Sequence, residues 1–201
     1  SYQLPVAVGA LSSNKEIYSI GIGAPIEDIG KVWSRAIANP IKPIEVTSAP
    51  CQDVVIEGSE LEGEGKGLDW LPIPISTPGF DCAPYFTATG CISKDPDTGT
   101  QNMGTYRAGL KSSTRMALRM SARSGGAEGH QHWRKYRERG EKMPMAITLG
   151  GPPAVCYCAP QKLRMGVDEI AVAGGLVGAP INVVRGKTVD LLIPAEAEVV
   201  V

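Results

Sequence analysis

Apolar and polar positions change their rhythm several times along the chain, and each change predicts a different element. Residues 5–11 (PVAVGAL) and 16–23 (EIYSIGIG) are short apolar runs separated by Ser12, Ser13 and Asn14, which reads as two strands and a turn. Over residues 25–40, Ile26, Ile29, Trp33, Ala36 and Ile37 fall at helical spacing, with Pro25 at the start and Pro40 beyond the end. Two strands and one helix predict the tail of an N-terminal α/β domain over residues 1–40, followed by a second domain over 41–201. The second begins with strand-like runs at 43–48 and 51–58, a Gly-rich acidic loop at 59–67, and a proline-rich extended crossing at 68–85.

Residues 85–93 (YFTATGCIS) and 100–106 (TQNMGTY) read as strands flanking the turn KDPDTG, hence a hairpin. Beyond it, Arg107, Lys111, Arg115, Arg119 and Arg123 recur every fourth position. Such steps drift only about 40° each on a 3.6-residue helix, so the spacing predicts a cationic helix that buries Leu110, Ala117 and Met120 on another face. Arg107 would sit in its first turn, where a cation opposes the helix dipole, so function rather than helix stability explains it. A glycine-hinged entry at 124–126 leads into a polar helix. A strand at 143–151, helices at 152–161 and 166–180, and strands at 181–186 and 189–201 follow. Strands in separate blocks rather than strict βα alternation predict an α+β fold.

Charge and composition then narrow the function classes. The formal net charge is -1, so no global basic field argues for nucleic acid, and no apolar run approaches the roughly 20 residues of a membrane span. The chain begins at Ser1 rather than Met and shows no secretory signal, so it reads as a soluble, cytoplasmic piece of a longer protein. Its five cysteines form neither an even disulfide framework nor a zinc pattern, which predicts reduced thiols.

The residues themselves allow a modest chemistry. His130 and His132 are i and i+2 on the predicted helix, about 200° apart, which favours surface or structural roles over a shared metal. The glycine-rich runs GGPP and AGGLVGAP lack dinucleotide or P-loop spacing. Glu169, among small residues, is a candidate hard-cation ligand, a helix cap or a solvated carboxylate. Glu196 and Glu198 share a face of the last predicted strand, either toward solvent or toward a pocket.

Residues 81–107 (DCAPYFTATGCISKDPDTGTQNMGTYR) resemble the UbiD family of reversible decarboxylases in an aspartate, a Pro-Tyr strand, a DPxTG turn and an N-x-G-x-Y-R segment. RERGEKMPMAITLGGPP, GVDEIAVAGGLVGAP and VDLLIPAEAEVVV are similar to its later blocks, in order. The resemblance implies a split β-barrel of flavin-reductase type with flanking helices, binding prenylated FMN, Mn²⁺ and K⁺. It implies that Asn102 is a metal ligand near the cofactor phosphate and that Glu169 ligates Mn²⁺ and helps hold K⁺, with Met103, Thr105 and Tyr106 lining the same cofactor segment. Arg107 would hold the substrate carboxylate at the cofactor, with Glu198 as its acidic partner. The position of the usual metal-binding histidine falls on Glu128, a departure that puts two carboxylates beside a phosphate.

The implied activity is non-oxidative, reversible decarboxylation of an aromatic, heteroaromatic or α,β-unsaturated acid. The implied partners are that acid, CO₂, a flavin prenyltransferase that supplies the cofactor, and further copies of the full-length chain. The family's next glutamate and its C-terminal domain would follow Val201, so these 201 residues alone are expected to be inactive. A non-catalytic flavin-binding or scaffold subunit of a multi-subunit carboxylase is the alternative.

Overall fold

The computed structural model describes residues 4–123 and 126–201, so two residues of the glycine-hinged entry lie outside the described part. Helix α1 (Lys15–Ile22) replaces the second predicted strand, and residues 5–11 form no strand. The reason is capping: the Asn14 side chain accepts from the Ile17 N–H at 2.9 Å, and Gly23 closes the helix in the left-handed conformation at φ 72. What reads as a turn residue is therefore a helix start. The next prediction holds, since a single helical turn at Ile26–Asp28 runs into α2 (Ile29–Ala38). Strand β1 (Ile44–Val46) follows, but residues 51–58 form no strand: the helical turn Pro50–Gln52 takes in the first two of them, and Val54, Val55 and Ile56 are exposed.

Strands β2 (Tyr85–Phe86) and β3 (Thr89–Lys94) divide the predicted 85–93 strand between two sheets, and β4 (Gln101–Gly104) completes the expected hairpin with β3. The predicted cationic helix is instead a second hairpin, β5 (Arg107–Ser112) and β6 (Arg115–Arg119). A four-residue repeat is also two strand periods, so the same cations share one face of a strand. Ala108, Leu110, Met116 and Leu118 alternate with them and face the core, while Ser113 and Thr114 make the turn. Arg107 thus opens a strand, and the helix-dipole argument does not apply to it.

The remaining elements are α3 (Glu128–Glu138), β7 (Met145–Leu149), α4 (Pro153–Cys158), α5 (Glu169–Val177), β8 (Asn182–Arg185), β9 (Leu192–Pro194) and β10 (Val199–Val200). Residues 195–198 turn between the last two, so Glu196 and Glu198 lie off any strand and are exposed.

Among the described residues the strands form three sheets, ordered β1-β8-β9, β10-β7-β3-β4 and β2-β5-β6. The four-stranded sheet is covered on both faces. Ile92, Met103 and Ala146 pack with the four helices α1, α2, α4 and α5, whereas Cys91 and Ile147 pack with Phe86, Ala108 and Leu110 of the β2-β5-β6 sheet. This double burial is why β3 reads as a run without alternation. The Gln101 amide joins two sheets, donating to the Leu192 carbonyl at 2.9 Å and accepting from the Leu192 N–H at 2.7 Å. Among the described residues no helix is long and apolar enough to cross a membrane.

Candidate functional site

Strand β4 is an edge strand, so one side of its backbone lacks a strand partner. The Met103 N–H on that side donates to Glu169 Oε2 at 2.9 Å. Glu169 is the first residue of α5 and only 4% exposed, yet it is not the cap: the Asp168 carboxylate accepts from the Ile170 N–H at 2.9 Å. Glu169 is therefore neither solvated nor capping, and it faces β4. Burial pushes its pKa up to about 7, the hydrogen bond from Met103 opposes that rise, and the Glu128 charge adds to it.

Asn102, 5% exposed, donates from Nδ2 to the Tyr106 hydroxyl at 3.3 Å. The same hydroxyl accepts from the Gly129 N–H at 3.2 Å, in the first turn of α3. Two glycines make room for that ring: a Cβ at Gly104 would lie 2.3 Å from the Tyr106 hydroxyl, and one at Gly129 would lie 2.9 Å from Cε2. The glycine of N-x-G-x-Y-R is thus a packing requirement. Thr89 holds the Tyr106 backbone from both sides, donating to its carbonyl at 2.5 Å and accepting from its N–H at 3.2 Å. Burial raises the Tyr106 pKa, the contact with Asn102 opposing it, so the hydroxyl stays protonated.

Glu128 heads α3 with its side chain 14% exposed. Its Oε1 accepts from the Gly166 N–H at 3.0 Å, in the loop before α5, and lies 3.7 Å from His132 Nε2. Burial raises its pKa, and the Gly166 hydrogen bond opposes the rise. His132 is buried and shares a 2.9 Å hydrogen bond between Nδ1 and Ser93 Oγ, which bears out a structural role for it.

Asn102, Met103, Tyr106, Glu128 and Glu169 therefore form one connected neighbourhood where the starts of α3 and α5 meet β4. Helix N-termini favour negative charge. An amide oxygen and two carboxylates form a hard-oxygen donor set suited to a divalent cation. No group of three or more His, Cys, Asp or Glu side chains that could hold a metal occurs among the described residues.

The other expected residues lie apart. Thr105 is exposed in the link between β4 and β5. Arg107 is exposed at the head of β5, directly opposite Arg119. Glu198 lies across Gly150, where a Cβ would come within 2.9 Å of its Cδ, and among the described residues no ion pair joins it to Arg107. Sequence reasoning missed Thr89 and Ser93, whose signal was faint: small polar residues at alternate positions of a strand that is otherwise apolar.

A sequence model of the UbiD 3-octaprenyl-4-hydroxybenzoate carboxy-lyase Rift-related domain matches residues 42–201. An uncharacterised protein of a Synechocystis species is 36% identical over 173 residues, covering 86% of this chain and 32% of that protein. The UbiD-class enzyme HmfF from Pelotomaculum thermopropionicum, solved in complex with FMN, is similar with a TM-score of 0.83 at 28% identity, over 99% of this chain and 43% of that one. An evolved dimeric form of the same enzyme, in complex with prFMN, gives a TM-score of 0.82 at 28% identity, over 94% and 42%. The chain thus spans about a third to two-fifths of the length of these relatives.

Proposed function

The chain belongs to the UbiD family, and from that premise we propose that the full-length protein is a carboxy-lyase performing reversible, non-oxidative decarboxylation on prenylated FMN. The observation that carries this reading is the meeting of Asn102, Glu169 and Glu128 where the starts of α3 and α5 reach β4, with Tyr106 tying Asn102 to α3. We read the two antiparallel sheets as the walls of a split β-barrel of flavin-reductase type, with residues 41–201 as the cofactor domain.

Asn102, Glu169 and Glu128 would hold Mn²⁺ beside the cofactor phosphate, with Glu169 also facing K⁺, since both cations prefer oxygen donors. Prenylated FMN, when bound, supplies an electrophilic carbon that lets the bond between the substrate and its carboxylate break, releasing CO₂. The chain's own residues bind and orient. Thr89 and the two glycines fix Tyr106, Tyr106 fixes Asn102, and β4 passes from that anchored segment through Thr105 into Arg107. Arg107 is exposed and forms no ion pair among the described residues, so its planar guanidinium is free to grip a carboxylate in two parallel hydrogen bonds. Holding the substrate in a reactive orientation can contribute several kcal/mol, on the order of 7–11 in favourable cases. Glu198 is assigned as the acidic group that Arg107 meets in the loaded enzyme. The substrate is an aromatic, heteroaromatic or α,β-unsaturated acid, the protein acts as an oligomer in the cytoplasm, and a flavin prenyltransferase supplies the cofactor.

Native mass spectrometry of the full-length protein, co-produced with a flavin prenyltransferase, tests this reading. The expected spectrum shows prenylated FMN and Mn²⁺ bound to the wild type and absent from Asn102→Ala. A folded wild-type protein carrying neither would refute it in favour of a scaffold subunit.

A further inference from the structure

Two donors of the candidate cation site ride on different elements, Asn102 on β4 and Glu128 at the head of α3. Their separation depends on how α3 is held against the β3–β4 hairpin. The helix starts without a side-chain cap, because Ala127 stands at the cap position, so its placement rests on lateral contacts. Those contacts follow the helical period. The Gly129 N–H donates to the Tyr106 hydroxyl at 3.2 Å, and His132 Nδ1 shares a 2.9 Å hydrogen bond with Ser93 Oγ. Lys135 Nζ lies 2.6 Å from Asp95 Oδ2 and 2.9 Å from Asp97 Oδ2. Arg139 pairs with Asp97 and donates to the Pro96 carbonyl at 3.3 Å. Steps of three, three and four residues keep all four positions on one face of the helix.

The last of these contacts is an ionic cluster at the hairpin tip, two cations against two carboxylates. The tip is itself braced: the Asp97 N–H donates to Asp95 Oδ1 and the Gly99 N–H to the Asp95 carbonyl, both at 2.9 Å, and the Asp95 N–H donates to the Thr100 carbonyl at 2.8 Å. A lone exposed ion pair contributes little, but here one ammonium joins two carboxylates and the Asp95 side chain is only 15% exposed. Compensation of the helix dipole does not require this reach. Arg137 lies in the same last turn and stays on its own helix, its guanidinium 5.3 Å from the Trp133 ring centroid, whereas Lys135 and Arg139 cross to the hairpin.

We propose that Asp95, Asp97, Lys135 and Arg139 are positioning residues: they clamp the tail of α3 to the hairpin that carries Asn102, and so hold Glu128 at the other end of the helix in reach of the same divalent cation. The proposal rests on the assignment of Asn102 and Glu128 to Mn²⁺. The buried His132, hydrogen-bonded to Ser93, acts as the fulcrum, with Glu128 one turn before it and the clamp one to two turns after it. At 1.5 Å per residue the head lies about 6 Å from the fulcrum, so a tilt of about 5° moves it by about 0.5 Å. A metal site tolerates only about 0.2 Å in its ligand distances, so a small release at the tail is felt at the head.

Mn²⁺ titration of the metal-stripped full-length protein, followed by electron paramagnetic resonance, tests it together with hydrogen exchange of peptides covering the first turn of α3. Lys135→Met should raise the Kd for Mn²⁺ about fivefold, less than the roughly 10- to 100-fold lost when a group touching a ligand is removed. Asp97→Asn should act in the same direction, and Lys135→Arg, which keeps the charge, should restore the wild-type affinity. Arg134→Gln removes an ion pair within α3, to Glu138 at 3.6 Å, and should leave the affinity unchanged. Unchanged Mn²⁺ affinity in a folded Lys135→Met protein overturns the proposal. Equal weakening by Arg134→Gln also overturns it, because helix stability alone would then be the cause. So does a Glu128→Gln protein that binds Mn²⁺ normally while Lys135→Met does not, since the clamp would not act through Glu128. A wild type that binds no Mn²⁺ sinks the metal assignment instead. Exchange then decides the clamp by itself: it stands if Lys135→Met speeds exchange at the first turn of α3, and falls if the rates there are unchanged.

Discussion

Tyr106→Phe removes a single oxygen, and the structure says where the loss is felt. That oxygen accepts from Asn102 Nδ2 at 3.3 Å and from the Gly129 N–H at 3.2 Å, joining β4 to the first turn of α3. Each lost bond is worth roughly 0.5–1.5 kcal/mol, and a buried donor left without a partner costs about 1–3 kcal/mol. Both contacts are longer than the usual N–H···O distance, and the Gly129 N–H belongs to the set at a helix start that has no partner within the helix. A total of about 2–3 kcal/mol is therefore expected, felt locally at the start of α3 rather than across the whole protein. The assay is hydrogen exchange by mass spectrometry on the full-length protein, following peptides that cover the first turn of α3. Protection there should fall about 30- to 150-fold, while β7, which does not touch the hydroxyl, should be unchanged. Unchanged protection at Gly129 would refute the idea that Tyr106 ties the two elements. Mn²⁺ affinity should fall with the loss of protection, because the amide of Asn102 is no longer held.

The remaining predictions concern separate links. Arg107→Ala in the full-length enzyme should abolish turnover while the flavin absorbance of the purified protein is retained; loss of flavin would mean that Arg107 serves the cofactor instead. Glu128→Gln should weaken Mn²⁺ binding in a metal titration, and unchanged metal content would remove Glu128 from the ligand set. Cys91 and Cys158 are buried and their thiols are pushed up by burial, that of Cys158 to about 12, so both should resist maleimide at pH 8 in the native protein and react only in denaturant. Labelling of either before unfolding would show that the core opens.

Much of the hairpin region was legible because turn chemistry is local. KDPDTG ends one strand and begins the next whatever surrounds it, and β3 and β4 pair as that turn requires. The stretch after it misled for an equally physical reason. Cations at steps of four satisfy a helix approximately and a strand fully, and only the alternation of Leu110, Met116 and Leu118 and the short turn at Ser113 and Thr114 separate the two. Residues 15–22 show the reverse ambiguity: a short apolar run resembles a strand until Asn14 caps it as a helix.

The amino-acid sequence alone pointed to the family, to a mixture of helices and strands, to the first β-hairpin and to a polar helix after the glycine-hinged entry, and it nominated Asn102 and Glu169 as site residues, because motif spacing and turn residues are carried by neighbours along the chain. Only the tertiary structure decided that Glu169 reaches the backbone of an edge strand 66 positions away, that Tyr106 is the anchor between Asn102 and α3, and that four cations share one open face. Those contacts depend on which strand lies at the sheet edge and on which side chains the core leaves outside. Both are set by burial across the whole fold, a quantity that no local pattern contains.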